Sequence, residues 1–154
     1  MTGEVRSQHC ELWYADTTLK KIGNISDIGE FGAMSDDIDV TNLDDLAKQF
    51  LTGLGDNGEI TLQINLNPTD TVHQDLFAKQ GNGNRYSFCL GLSDGTTPPT
   101  APAGVMTPPA AAARTSYVFL ASIKSFKQAI KTNDAVRVTV TLRISGAITA
   151  TWHT

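Results

Sequence analysis

Strict alternation of apolar and polar residues is the sequence feature that most constrains the fold. From Glu59 to Leu66, apolar residues occupy every second position and polar residues fill the positions between them. The same alternation runs from Ala135 to Ser145, the longest such segment. Successive side chains of a strand point to opposite faces, so each segment predicts a strand with one buried and one polar face. Further strand-like segments are His9–Ala15, Leu19–Ile25, Tyr86–Leu92, Tyr117–Phe126 and Ile148–Trp152.

One segment predicts a short helix after the first alternating strand. Asn67 is expected to cap the helix, Pro68 suits its first turn, and Asp70 at the third position favours the helix dipole. His73 lies one position from the apolar stripe and is expected at the surface or its boundary. The expected apolar face consists of Val72, Leu76 and Phe77.

These elements predict a mostly β fold, an antiparallel sandwich-like or barrel-like domain with one flanking α-helix and long assembly loops. A chain of 154 residues is long enough for one cored domain, so we expect residues 1–154 to form a single unit. No segment has the roughly 18 uninterrupted apolar residues of a membrane-spanning helix. The N-terminus has no apolar core of a secretory signal, so none is expected.

An acidic segment, residues 26–58, separates two of the predicted strands and is here named the acidic arm. It carries eight of the sixteen carboxylates and one base, Lys48; outside it, eight acids and eleven bases remain. A disordered acidic linker is poor in large apolar residues. This segment instead contains Phe50 and several leucines, which predicts an irregular loop that docks on another molecule, such as a second copy of this chain.

Five of the six prolines lie in residues 93–116, here named the Pro/Ala-rich loop. Proline cannot donate to a sheet ladder, which excludes a central strand. We expect an extended, solvated loop or a long hairpin tip. A docking site for a proline motif is the alternative, although the loop lacks the aromatic and basic residues typical of one.

The sequence contains no catalytic constellation, and the protein is not expected to be an enzyme. His9, His73 and His153 fall in different elements, without a nucleophile or carboxylate at motif spacing. The acidic run after Ser35 resembles a calcium loop but lacks its turn glycine and closing glutamate, so no metal or cofactor is expected. Cys10 and Cys89 are expected to be free, buried thiols.

Nucleic-acid recognition is disfavoured. Affinity for DNA comes largely from lysine and arginine that neutralise phosphates, and the most distinctive segment of this chain is anionic. An anionic surface repels DNA, which would suit a conduit that DNA passes through without binding.

From Asp36 to Pro68 the sequence resembles tail tube proteins (major tail proteins) of long-tailed bacteriophages. The motif runs through Ile38-Asp39-Val40-Thr41, Leu43-Asp44, Phe50, Gly53-Leu54, Asp56 and Gly58-Glu59, and the alternating strand follows. The resemblance covers roughly residues 20–145. Two departures are the Pro/Ala-rich loop, which resembles an insertion, and Gln49-Phe50, which stands where an arginine-phenylalanine pair is usual.

The resemblance implies a structural virion protein that self-assembles into hexameric rings, which stack into the hollow tail tube through which DNA is delivered. It implies tape measure, tail tip and terminator proteins as partners, no membrane, a location in the virion tail, and assembly in the host bacterial cytoplasm. The expected contacts between subunits or rings are Asp36, Asp37, Ile38, Asp39, Val40, Thr41, Leu43, Asp44, Phe50, Leu51 and Leu54. The expected lumen-lining residues are Glu59, Thr61, Gln63 and Asn65.

Two alternatives stay open at this point. One is a related ring-forming protein, such as a tube of a contractile tail or secretion system, or a tail terminator. The other is a β-sandwich ligand-binding module that uses the Pro/Ala-rich loop. The host, the phage, the tube length, the ring number and the role of that loop do not follow from the sequence alone.

Overall fold

The computed structural model describes residues 4, 6, 8–32 and 34–154. One helix, α1 (Thr71–Lys79), lies between β6 and β7, and Pro102–Gly104 form a short 3-10 turn. The expectations for the N-terminus and for one domain over 1–154 include residues 1–3, 5, 7 and 33, which lie outside the described part. The strands are β1 (Glu11–Ala15), β2 (Leu19–Ile22), β3 (Ile25–Asp27), β4 (Met34–Asp39), β5 (Phe50–Asp56), β6 (Glu59–Asn65), β7 (Arg85–Gly91), β8 (Ser116–Ala129) and β9 (Arg137–Thr151).

Seven strands form one sheet in the order β2-β1-β7-β8-β9-β6-β3, and the pairs within it are antiparallel. The two edge strands, β2 and β3, are consecutive in the chain and are joined by Gly23 and Asn24 alone. A flat seven-stranded sheet would hold its edges roughly 29 Å apart, whereas Ile22 and Ile25 are at most about 11 Å apart along the chain. The sheet therefore curls until its edges meet.

The curled sheet encloses the main core on its concave face. The mostly β, antiparallel, sandwich-like class with one helix is confirmed. Alternation places the apolar residues of β6 and β9 inside, as the sequence predicts. The largest core side chains are Leu12, Tyr14, Ile22, Ile60, Leu62, Ile64, Leu76, Phe88, Phe119, Ile123, Phe126, Val138, Val140, Leu142 and Ile144.

Two predicted strand boundaries are wrong. The segment from Leu19 to Ile25 is not one strand, because Asn24 has a φ of +59° and turns the chain between β2 and β3. The segment from Ile148 to Trp152 is not separate, because β9 continues to Thr151 and stays paired with β8 across a register shift beyond Ser145. A bulge adds a residue without ending the ladder, which alternation along one strand does not reveal.

The helix begins later than the sequence suggests, and its cap is Asp70 rather than Asn67. The carboxylate of Asp70 accepts the backbone N–H of Val72 at 2.9 Å, while Asn67 closes the preceding turn onto Thr69. The predicted surface position of His73 is also wrong. The ring is buried, its Nδ1 accepts the backbone N–H of Asn67, and its Nε2 donates to the carbonyl of Gly23. The histidine thus joins α1 to the β2–β3 turn.

A charged network, which the sequence did not indicate, fixes the other end of α1 to the sheet. Lys79 Nζ lies 2.7 Å from Asp16 and also contacts Asp75; Lys20 bridges the same two carboxylates at 3.1 and 3.0 Å. The hydroxyl of Tyr14 donates to Asp75. The bond from Lys79 lowers the pKa of Asp16 well below its usual range. A helix of nine residues is too short to persist alone, and this network holds it in place.

Candidate functional site

The acidic arm is a β-hairpin rather than the irregular loop predicted from its sequence. Strands β4 and β5 form a separate two-stranded sheet, with Ile38 opposite Leu51 and Asp39 opposite Phe50. Acidic residues are poor strand formers, and β4 carries three of them. The pairing arises because β5 supplies apolar and threonine partners across the ladder, which a reading of β4 by itself does not show.

One glycine makes the hairpin possible. The register between β4 and β5 shifts between Ser35 and Asp37, and Gly53 lies opposite this bulge. A Cβ on Gly53 would lie 2.8 Å from the carbonyl oxygen of Asp36, closer than a real Cβ contact allows. Glycine is the residue that permits this close approach of two backbones.

Polar side chains close the tip of the hairpin. The hydroxyl of Thr41 accepts the backbone N–H of Gln49 at 2.8 Å, and Val40 N–H donates to the carbonyl of Gln49 at 3.0 Å. The side chain of Thr41 and then its backbone N–H, which Asp39 accepts, lower the pKa of Asp39. Asp45 accepts the N–H of Asn42 at 2.7 Å. Part of the acidity of the arm therefore shapes its own turn.

From Met34 to Leu54, the hairpin of the arm leaves its large apolar side chains in solvent, whereas Ile28 and Phe31, ahead of it, pack against the core. Leu43, Leu46 and Leu54 are 105%, 106% and 95% exposed, and eight of the thirteen exposed large apolar side chains lie between Met34 and Leu54. Within the described chain, neither β4 nor β5 packs substantially against an element other than its partner. All eleven predicted contact residues are exposed in the single subunit. Exposed apolar clusters of this kind mark interaction surfaces.

The base of the arm is tied to the sheet by β9. Arg143 contacts Asp56 at 2.9 Å, and Asn57 donates to the carbonyl of Gly146. The carbonyl of Gly58 accepts the N–H of Ile144 at 3.0 Å. The bonds from Gly58 N–H and then Arg143 lower the pKa of Asp56. The hairpin thus projects from a fixed base at the start of β6.

The four predicted lumen residues share the outward face of β6, as the alternation requires. These four residues include no base, but the neighbouring strand supplies bases, because β9 places Arg143 opposite Glu59 and Arg137 opposite Asn65. Lys124 of β8 lies 2.6 Å from Glu59. The charge of a sheet face depends on neighbouring strands as well, because the strand order brings together residues that are distant in the sequence. The described ion pairs of these bases are Lys124–Glu59, Arg143–Asp56 and Arg137–Asp134.

The Pro/Ala-rich loop is packed rather than solvated. It covers the convex face of the sheet, where Trp13 and Cys89 form a second apolar cluster that includes Met106. The sequence contains a signal for this packing, because Leu12 to Ala15 form a run without polar alternation, and such a strand is buried on both faces. In the structure all four residues are buried. A Cβ on Gly95 would lie 1.9 Å from the carbonyl of Ala113, so the two ends of the loop approach through a glycine.

A buried arginine holds this loop down. Arg114 is fully buried and donates from Nε and Nη2 to the carbonyl of Leu92 at 2.9 and 2.6 Å. Its Nη1 reaches the carbonyl of Thr97 and the carboxylate of Glu11, and its guanidinium lies 5.4 Å from the ring of Trp13. A buried charge is tolerated when it is paired and hydrogen-bonded in this way. In the sequence, Arg114 is a single charged residue that follows a run of alanines, and this pattern is the feature that could have indicated its burial.

The described residues present no cluster of three or more His, Cys, Asp or Glu side chains able to hold a metal ion. Cys10 and Cys89 are free thiols; Cys89 is buried, which raises its pKa to about 11, while Cys10 is partly exposed rather than buried. Among the residues described, no helix has both the length and the apolar character needed to cross a membrane.

A curled β-domain with a projecting, apolar-studded hairpin is typical of a self-associating structural subunit. Residues 3–154 match the family described as phage tail tube, TTP, lambda-like. The chain belongs to this family of virion tail tube proteins, which is a structural family and not an enzyme family. It is also similar to "Structural protein 3" of Pseudomonas phage PAJU2, with 28% identity over 148 residues, covering 92% of this chain and 90% of that protein.

Solved structures share the fold at low sequence identity. A chain in the cryo-EM structure of the anti-feeding prophage baseplate superposes with a TM-score of 0.72 at 10% identity, covering 99% of this chain and 98% of that one. A chain of the SPP1 tail tube gives a TM-score of 0.66 at 10% identity, with coverages of 97% and 80%. A chain of the PVC sheath/tube terminator gives 0.69 at 15% identity, with 96% of each chain covered.

Proposed function

We propose that this protein is the repeating subunit of a phage tail tube, in which hexameric rings stack into a hollow conduit that delivers DNA. The arm hairpin carries this proposal. Burial of one large apolar side chain contributes roughly 1.5–3 kcal/mol, so Leu43, Leu46 and Leu54 together would contribute roughly 4.5–9 kcal/mol before the costs of association and ordering are subtracted. Tape measure, tail tip and terminator proteins would bind the ends, and assembly would take place in the host bacterial cytoplasm.

In this proposal the acidic arm of residues 26–58 contacts a subunit of an adjacent ring through the eleven residues named above. Family membership supports a tube, and the exposure of the arm in a single subunit supports an intermolecular role. A contact between two different surfaces of identical subunits closes into rings or propagates as stacks. A conduit built this way needs no bound cofactor and no membrane.

Electron microscopy of the purified protein at rising concentration tests the proposal. We expect rings and then tubes for the wild type, and no tubes for the Leu43→Ser, Leu46→Ser, Leu54→Ser triple variant. Val105→Ser, at an apolar side chain of the Pro/Ala-rich loop that is 65% exposed, is the control and should form tubes. A wild type that stops at one ring would indicate a terminator instead, and one that stays monomeric at every concentration would contradict the proposal.

The outward face of β6 is proposed to line the lumen. Lys124, Arg143 and Arg137 on this side of the sheet pair with Glu59, Asp56 and Asp134, whereas Lys127, opposite Thr139, has no ion pair among the described residues. Most of the positive charge on this face is therefore neutralised, which leaves DNA little to bind. Glu59→Lys with Gln63→Lys adds unpaired cations there and should impair genome delivery while tubes still form. Thr17→Lys, at an exposed turn outside β6, is the control. Infectivity equal to wild type in the double variant would argue against this face as the lumen wall.

A further inference from the structure

The chain contains two Asn-Gly pairs, Asn57-Gly58 and Asn82-Gly83, that are chemically identical but differ in their surroundings. An asparagine that precedes glycine is prone to lose its side-chain amide. Glycine has no Cβ to hinder attack by its backbone nitrogen on the carbonyl carbon of the asparagine side chain. The sequence does not distinguish the two pairs, whereas the structure gives their reacting groups different hydrogen-bond partners.

Asn57-Gly58 is held at the base of the arm. The N–H of Gly58 donates to the carboxylate of Asp56 at 2.8 Å, and the side-chain amide of Asn57 donates to the carbonyl of Gly146. Both residues of the pair are half-buried. The reaction requires the Gly58 nitrogen to lose its proton, and the adjacent carboxylate disfavours the negative charge that would form there. This pair is therefore protected.

Asn82-Gly83 lies in the turn between α1 and β7, and both of its residues are exposed. Gly83 has a φ of +77°, and no hydrogen bond among the described residues uses its N–H. Nothing lies within 4 Å of the position that a Cβ would occupy on this glycine. The nitrogen that must attack is thus free to lose its proton to hydroxide from solvent.

Two polar groups hold the side chain of Asn82. Its Oδ1 accepts the backbone N–H of Asn84 at 2.9 Å, and its Nδ2 lies 2.8 Å from the hydroxyl of Tyr86. When the side-chain carbonyl carbon is attacked, negative charge develops on Oδ1, where the N–H of Asn84 is in place to stabilise it. The hydroxyl of Tyr86 is within reach to protonate Nδ2 as this nitrogen leaves.

We infer that Asn82 is a site of spontaneous deamidation in the folded subunit and that Asn57 is protected from the same reaction. The Gly83 nitrogen gives its proton to hydroxide and forms a bond to Cγ of Asn82. The Cγ–Nδ2 bond breaks, and ammonia departs with a proton from Tyr86, which regains one from water. A water molecule then opens the cyclic imide to aspartate or isoaspartate. The net reaction consumes one water and releases one ammonia, without an oxidant or a reductant.

The modification changes the end of α1 that faces β7. The N–H of Asn82 donates to the carbonyl of Lys79 at 3.4 Å, so the new carboxylate stands at the C-terminus of the helix, where the helix dipole disfavours negative charge. Isoaspartate also adds a carbon to the main chain next to Gly81, whose N–H donates to the carbonyl of Ile123 at 2.9 Å. The reaction therefore weakens the attachment of this end of α1 to the sheet.

Peptide mass spectrometry of the folded full chain tests the inference. The protein is incubated in mildly alkaline buffer made with heavy-oxygen water, which labels each deamidation that occurs during the incubation. Asn82 should react about tenfold or more faster than Asn57, because two hydrogen bonds must break before Asn57 can react. The same chain unfolded in denaturant is the matched control, and there the two pairs should react at similar rates. Equal rates in the folded subunit would overturn the inference.

A tyrosine variant tests the role of the hydroxyl. Tyr86→Phe should slow deamidation at Asn82 several-fold and leave Asn57 unchanged. Tyr117→Phe, at another half-buried tyrosine, is the matched control and should change neither rate. A purely structural role of Tyr86 predicts the opposite sign, because a looser turn would react faster. An unchanged or faster reaction at Asn82 in Tyr86→Phe would therefore overturn the part assigned to the hydroxyl.

Discussion

The arm hairpin and the Pro/Ala-rich loop are both long connections between strands, yet they differ in whether they pack against the rest of the subunit. The arm stands away from the sheet with Leu43 and Leu46 in solvent, while the loop places Met106 and Arg114 in contact with buried side chains. The arm is a hairpin of two paired strands that has no core of its own. The loop is irregular backbone that packs on an apolar cluster. Regular secondary structure and packing against the rest of the subunit are therefore independent properties. A connection that does not pack against its own subunit is free to contact another molecule.

The largest expected effect on the subunit is at Arg114. Arg114→Ala removes the buried donors to the carbonyls of Leu92 and Thr97 and to the carboxylate of Glu11, so the free energy of unfolding should fall by about 3 kcal/mol. Chemical denaturation measures this. Arg85→Ala, an exposed arginine, is the control and should change little. An unchanged midpoint for Arg114→Ala would mean that the loop does not depend on its buried charge, and the comparison with the arm would fail.

A smaller effect is expected at Asp94, whose carboxylate accepts the hydroxyl and the N–H of Thr115 at 2.6 and 3.0 Å. Burial raises the pKa of Asp94, but these hydrogen bonds outweigh it and the pKa is lowered. Asp94→Asn should therefore cost about 1 kcal/mol at neutral pH.

The sign of the pH dependence follows from the lowered pKa. The contribution of Asp94 is complete above the unfolded value of about 4 and is lost as the pH falls through the lower folded value. Stability curves of wild type and Asp94→Asn should converge in acid. Asp44→Asn, at an exposed position of the arm, is the control. Parallel curves for Asp94→Asn would show that this carboxylate is not linked to the packing of the loop.

The smallest effect on the stability of the subunit is expected at Gly53. Gly53→Ala should loosen β4 and β5 and speed amide hydrogen exchange from residues 36 to 54, without moving the global unfolding midpoint, because the hairpin packs substantially on no other described element. Gly55→Ala, whose Cβ would have ordinary contacts, is the matched control on the same strand. In tubes, wild-type residues 36–54 should gain protection. Equal, strong protection in free subunit and tube would remove the docking role of the arm.

Alternation in β6 and β9 was sufficient to predict two strands, their buried faces and the mostly β class. It did not predict that β9 continues through a bulge, or that Asp70 rather than Asn67 caps α1. The arm was identified as an exposed, apolar-studded segment, but its hairpin pairing was not. That pairing depends on a close backbone approach at Gly53 between strands separated by a loop, and single-strand patterns contain no information on such an approach.

The sequence by itself determined which residues of β6 and β9 face the core, because the two-residue period of a strand assigns every side chain to a face. It also determined that the arm holds an excess of carboxylates. The tertiary structure decided which strands are neighbours, and with that the charge of the β6 face and the burial of His73 and Arg114. These features depend on contacts between segments that are distant in the sequence. Such contacts form only when the whole sheet has curled and its strands have paired.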